Sequence, residues 1–180
     1  MRINLEDTLF CLIDVQEKLF PHMRNKKKLL KTLPILIKGL KTLKAPIIVN
    51  EQYKKGIGET IPILQELVSE YTAYEKTTFS GCKTTEILTA LKTSGKKNII
   101  VAGIETHVCV LQTCIDLLEN GFNVILVTDC CGSRKQQDHK MAIKRLIQAG
   151  VIPTTYESIL FELTVDSKNP HFKAISALIK

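Results

Sequence analysis

Asn98-Ile99-Ile100-Val101-Ala102-Gly103-Ile104-Glu105-Thr106-His107-Val108-Cys109-Val110-Leu111-Gln112-Thr113-Cys114 decides the fold. Its first five residues form a short continuous apolar run, the pattern of a strand buried on both faces of a parallel sheet. After the glycine, Val108, Leu111, Ile115 and Leu118 recur at helical spacing until Asn120-Gly121 stops the helix. The stretch therefore predicts a strand, a tight turn and a helix, with Cys109 in the first helical turn. Free amides and the positive dipole end at such a turn favour a thiolate and can hold an anionic oxygen. On that basis the Cys109 thiol is expected to ionise more readily than an ordinary one.

The same alternation extends in both directions. Toward the N-terminus, strands are predicted at Thr8–Val15, Ala45–Asn50 and, more weakly, Tyr71–Lys76. Toward the C-terminus they are predicted at Phe122–Val127, with the segment ending at Asp129, and at Val151–Thr155. Helices are predicted at Lys26–Thr32, Pro34–Lys44, Ile61–Glu70 and from Thr84 or Thr85 to Thr93. Pro34 is read there as restarting a helix from its first turn. Gln136–Ala149, closed by Gly150, and the terminal stretches Glu157–Leu163 and His171–Lys180 complete the set. Strands alternating with helices call for a parallel sheet covered on both faces by right-handed crossovers. The expectation is one doubly wound α/β domain over residues 1–180, a three-layer α/β/α arrangement with strand order 3-2-1-4-5-6.

Composition narrows the function classes. With 180 residues, 44% apolar and 24% charged, the chain can bury a large core. No apolar run reaches eighteen residues, so no membrane span is expected. Early Glu6 and Asp7 argue against a secretory or transit leader. The six cysteines, at 11, 82, 109, 114, 130 and 131, include no C-x-x-C and fall within predicted strands and helices. They read as free thiols in a reducing compartment, with the cytoplasm as the default. The net charge of +7 is concentrated between Pro21 and Lys55, where ten Lys or Arg face one acid, Glu51. Those lysines alternate with Leu and Ile and few aromatics, so the segment reads as a solvated helix face rather than a nucleic-acid or membrane surface.

In open α/β sheets, ligands bind beyond the carboxyl ends of the strands where the winding reverses. Asp14 ends the first strand, Lys76 ends the third, and Cys109 follows the fourth. Strands one and four are neighbours in the expected order, and strand three lies roughly 10 Å from strand one. A lysine side chain can lean across that gap. The carboxylate can then take the thiol proton as a general base, while the ammonium offsets the gathered negative charge. Such a set suits hydrolysis of an acyl C–N bond through a thioester-like acyl-enzyme.

Leu12-Ile13-Asp14-Val15-Gln16, Glu75-Lys76-Thr77-Thr78-Phe79-Ser80 and Gly103-Ile104-Glu105-Thr106-His107-Val108-Cys109-Val110 resemble the three blocks of isochorismatase-like cysteine hydrolases, in the right order. Asn50-Glu51-Gln52-Tyr53 with Gly56 and Gly58, Asp129 with Ser133-Arg134, and Asn169-Pro170-His171-Phe172-Lys173 resemble the isochorismatase domain-containing branch. The resemblance implies Asp14, Lys76 and Cys109 as a catalytic triad. It also implies a non-proline cis peptide between Ile104 and Glu105, with the Glu105 and Cys109 amides forming the oxyanion hole. A small-molecule substrate and a homo-oligomer follow from the same likeness. Nicotinamidases of the family hold a metal through an Asp and histidines after strand two. Here Asn50-Glu51-Gln52-Tyr53 stands there and no histidine follows until His107, so neither a metal nor another cofactor is expected. Retention of the cysteine, absent from the isochorismatases that cleave a vinyl ether, favours amidase-type chemistry.

Gln16, Phe20, Tyr53, Phe79 and His107 are candidates for lining the pocket. His107 also invites a Cys–His dyad, although side chains two apart at a helix start diverge. Asp129 and Arg134 are read as fixing loops or subunit contacts, and the histidines at 22, 107, 139 and 171 lack zinc-ligand spacing. Two other classes stay open: a catalytically quiet binding protein on the same fold, and a nucleotide binder. No G-x-G-x-x-G or G-x-x-x-x-G-K supports the second.

Overall fold

The computed structural model describes residues 1–180. Six parallel strands form one sheet: β1 (Thr8–Ile13), β2 (Ile47–Gln52), β3 (Ala73–Lys76), β4 (Asn98–Ile104), β5 (Asn123–Gly132) and β6 (Ile152–Thr154). Their order is β3-β2-β1-β4-β5-β6 and every pairing is parallel, the predicted doubly wound topology. Every residue of β1, β2 and β4 is buried; apolar runs account for β1 and β4, whereas β2 ends in the buried polar residues Asn50, Glu51 and Gln52. The edges are short and more exposed, and Pro153 lies on the outermost strand, where a missing N–H is tolerated.

Eight α-helices accompany the sheet: α1 (Lys26–Thr42), α2 (Lys54–Ile57), α3 (Pro62–Val68), α4 (Thr85–Thr93), α5 (Leu111–Glu119), α6 (Gln136–Gln148), α7 (Tyr156–Thr164) and α8 (Phe172–Ile179). Helix α1 packs with α3, α7 and α8, and α5 packs with α6. Helix α1 runs unbroken through Pro34, contrary to the expected restart at that residue. Proline withholds one N–H, but Leu29, Leu33, Leu36, Ile37 and Leu40 all bury along one face, so tertiary packing outweighs the lost bond. Lys26, Lys27, Lys28, Lys31, Lys38 and Lys44 face outward, as a solvated face requires. No helix is long and apolar enough to cross a membrane.

Two features of the sheet build the site. Ile13 pairs with both Asn50 and Gly103, so the carboxyl ends of β1, β2 and β4 meet at one level. Gly103 has φ +135°, and a Cβ there would collide with the Ile13 carbonyl oxygen, so only glycine lets β4 approach β1 this closely. Just past Val101 the register of β4 against β5 breaks and resumes with Gly103 opposite Cys131 and Ile104 opposite Gly132. That break carries β5 well past the predicted end at Val127 and brings Ser133 and Arg134 beside Glu105. The Ile104–Glu105 peptide is cis.

Candidate active site

Asp14 follows the last residue of β1 with φ +52°, a left-handed conformation that aspartate tolerates better than most residues. Its amide donates to the Asn50 carbonyl at 3.0 Å, continuing the β1–β2 ladder, and its side chain is fully buried. Lys76, the last residue of β3, reaches over β2 to meet it. Its Nζ donates to Asp14 Oδ2 and to Gln52 Oε1, each at 2.7 Å, and to the carbonyls of Thr78 at 3.2 Å and Phe79 at 3.1 Å. All four partners are acceptors, which suits an ammonium and no neutral amine. The pair is completely removed from solvent at the side chains. Asp14 Oδ1 has no well-aligned hydrogen-bond donor.

Cys109 completes the cluster from the turn after β4 and is 6% exposed. That turn, Thr106–Val110, is π-helical and not an ordinary first turn: Val110 N–H reaches back to the Glu105 carbonyl at 3.2 Å, and α5 begins only at Leu111. The thiol and the Asp14 carboxylate lie close enough that each perturbs the other's ionisation. Burial raises Asp14 from its ordinary 3.8 to about 6, against the opposing pull of the Lys76 charge and hydrogen bond and of the Cys109 thiol.

For Cys109 the expectation of a readily ionised thiol is overturned. Burial pushes it well above its ordinary value, the Asp14 charge adds to that, and Lys76 offsets only part. A helix start favours a thiolate, but desolvation and a neighbouring carboxylate weigh more. Both influences favour the thiol form of Cys109 beside the Asp14 carboxylate.

The remaining candidates separate. Gln16 is wholly buried and spent on backbone: its Oε1 accepts from the Gln52 amide at 2.7 Å, and its Nε2 donates to the carbonyls of Gln52 at 2.9 Å and Gly58 at 2.7 Å. It fastens the 52–58 loop and lines no pocket. Phe20 belongs to the hydrophobic core. Tyr53 is exposed in a left-handed conformation before α2. Only Phe79 and His107 line a concavity, one of about 680 Å³ that also takes in Thr78, Ser80, Leu111 and Gln112. Asp14, Lys76 and Cys109 are absent from its lining; they lie behind it, since Thr78 and Phe79 turn their carbonyls inward to Lys76. His107 makes no dyad with the cysteine: its Nδ1 is 3.0 Å from Ser133 Oγ and its Nε2 faces Asp138 Oδ2 at 3.9 Å.

Two site residues were missed in the sequence. Gln52 holds Lys76 and anchors Thr77 through Nε2, 2.8 Å from its carbonyl. It occupies the same strand-end address as the other three, but a search for charged and nucleophilic residues passes over a neutral amide. Glu51, also buried, accepts from Thr60 N–H and Oγ1 and lies 3.2 Å from Lys54 Nζ. With its oxygens so taken, and no group of three or more His, Cys, Asp or Glu able to hold a metal ion, the end of β2 does not fit the family's metal site.

A doubly wound sheet with an acid, a lysine and a cysteine gathered at its switch point defines the isochorismatase-like class of α/β protein. The isochorismatase domain model matches residues 8–158, and the chain belongs to that family of hydrolases. Isochorismatase family protein 1A of Dictyostelium discoideum is 40% identical over 176 residues, covering 95% of this chain and 85% of that protein. Among solved structures, the MAR1 ribonuclease of Caenorhabditis elegans superposes with a TM-score of 0.94 at 39% identity, over 99% of this chain and 92% of that one. The Escherichia coli ycaC gene product, described as an octameric hydrolase of unknown specificity, superposes with a TM-score of 0.95 at 26% identity, over 99% and 89%.

Proposed function

We propose that this protein is a cysteine hydrolase that cleaves a small amide or related C–N substrate, with residues 1–180 acting as one hydrolase domain. The observation that carries the proposal is the fully buried Lys76–Asp14 pair, 2.7 Å apart, gathered with Cys109 at the carboxyl ends of β1, β3 and β4. As Sγ attacks the acyl carbon, its proton passes to Asp14 and an oxyanion forms on the acyl oxygen. The Glu105 amide, which donates to no backbone acceptor, is free to hold that oxygen together with the Cys109 amide. Asp14 returns the proton to the leaving nitrogen and the C–N bond breaks, leaving a thioester. Water, deprotonated by Asp14, then attacks the thioester; the acid departs and the thiol is restored. Lys76 keeps Asp14 ionised in a site that would otherwise neutralise it.

The relative from C. elegans carries the name ribonuclease, but the enclosure of the cluster favours a small molecule over a polymer. The octameric E. coli relative supports self-association, and six free thiols support a reducing, cytoplasmic setting. The test is a panel of small primary amides and carbamoyl compounds, with p-nitrophenyl acetate as a general acyl donor. Rapid acid quenching followed by peptide mass measurement is expected to find the acyl group on Cys109. Turnover with acylation elsewhere, RNA cleavage that persists in Cys109→Ala, or no turnover across the panel would sink the proposal.

A pH dependence follows from Asp14. The base must be ionised, so kcat/KM is expected to rise with pH through about 6 and level off above it. Stability moves the other way. The folded-state value lies above the ordinary 3.8, so the native chain binds a proton that the unfolded chain releases; Asp14's contribution is largest below that ordinary value and is lost as pH rises through about 6. Denaturation across this window with wild type and Asp14→Asn checks the sign, since the variant should lack that component of the slope.

A further inference from the structure

Three consecutive residues of the turn that leads to Cys109 are tied to one segment after β5. Glu105 takes both sides of the Arg134 fork: Nε donates to Oε1 and Oε2, each at 3.0 Å, and Nη2 donates to Oε1 at 2.7 Å. The Arg134 backbone N–H adds a bond to Oε2 at 3.0 Å. Thr106 Oγ1 lies 2.9 Å from His139 Nδ1, and His107 Nδ1 lies 3.0 Å from Ser133 Oγ. The receiving segment is itself anchored, through Asn25 Nδ2 to the Cys131 carbonyl at 3.0 Å and Arg24 N–H to the Ser133 carbonyl at 3.2 Å. Of these ties only Glu105–Arg134 is ionic and forked, and a fork fixes direction as well as distance. The Glu105 side chain is 7% exposed, whereas Arg134 is 55% exposed. An outward-facing guanidinium therefore steers an inward-facing carboxylate.

We propose that Arg134 is a positioning residue for the Cys109 thiol: its fork holds Glu105, and with it the 105–107 backbone that leads into the cysteine turn, and neutralises the carboxylate four residues before that sulfur. The proposal rests on the reading of Cys109 as the nucleophile. Burial alone would raise Glu105, but hydrogen bonds and charge from Arg134 outweigh it and hold the carboxyl below its ordinary range; His107 pulls the same way. The charged groups acting on Cys109 are Asp14, Lys76 and Glu105. Glu105 opposes ionisation of the sulfur, and Arg134 is the cation that cancels it.

The experiment measures iodoacetamide alkylation of Cys109, resolved by peptide mass, as a function of pH in full-length wild type, Arg134→Gln, Arg134→Lys and Glu105→Gln. It needs no turnover, so a failed substrate panel and a failed positioning role stay distinguishable. Arg134→Gln leaves Glu105 uncompensated and is expected to displace the labelling curve upward by about one pH unit, about tenfold slower labelling at fixed pH. Arg134→Lys keeps the charge and should recover most of that displacement. Glu105→Gln leaves Arg134 as an uncompensated cation and should displace the curve downward. Opposite displacements cannot come from loosening alone, which would move both variants the same way. If neither curve moves, both move together, or lysine fails to rescue, the proposal is overturned. Should Arg134→Gln not fold, the downward displacement in Glu105→Gln decides alone.

Discussion

Replacing Cys109 with alanine is expected to abolish turnover, a loss of at least about a thousandfold, while changing stability by about 1 kcal/mol or less. The two parts belong together. The sulfur is the only group beside Asp14 able to form a covalent intermediate, so nothing replaces it in the chemistry. In packing terms its removal deletes one buried atom from a turn fixed by backbone bonds to Glu105 and by the ties to the segment after β5. Steady-state assay of whichever panel compound wild type accepts, alongside urea denaturation, separates the effects. A variant that folds and still turns over would remove Cys109 from the mechanism. One that loses several kcal/mol would instead make the residue a packing element.

Lys76→Met should show the converse, a large stability effect together with loss of activity. The ammonium is buried with its carboxylate, and removing one partner of such a pair typically costs about 3–5 kcal/mol because the other charge is stranded. Here three further acceptors, from Gln52, Thr78 and Phe79, lose their donor as well. Without Lys76, Asp14 keeps only the Cys109 thiol against burial and its ionisation moves still higher, so at neutral pH it would be protonated and useless as a base. The discriminating variant is Asp14→Asn with Lys76→Met, which removes both charges. It should regain much of the lost stability and none of the activity. If Lys76→Met unfolds at the wild-type urea concentration, or the double variant is no more stable than the single one, the pair does not act as a coupled unit.

The fold was legible because its signals are local. The apolar run before Gly103 needs no distant information to be read as a buried parallel strand, and strand–helix alternation calls for a parallel sheet covered on both faces. Asp14 and Lys76 were legible for a related reason, since the end of a parallel strand is an address that sequence position reveals. What escaped depends on contacts between distant residues. The salt link of Glu105 to Arg134 exists because the β4–β5 register slips past Val101, and nothing in either strand's own residues announces that slip. The restart expected at Pro34 is absent because the packing that carries α1 through it is not visible in the sequence. The ionisation of Cys109 escapes a sequence reading because a helix start is visible there whereas burial is not. Of the pocket candidates, the folded chain uses Gln16 as a loop fastener and Phe20 as core.

The protonated resting state of Cys109 bears on chemical durability. Peroxide and related oxidants attack thiolates, and an exposed low-pKa cysteine is consumed by them whether or not it is working. This sulfur keeps its proton, shows little of its surface, and depends on Asp14 to be stripped of it during a reaction. Between encounters with substrate, burial and the neighbouring carboxylate thus guard the sulfur that the chemistry exposes.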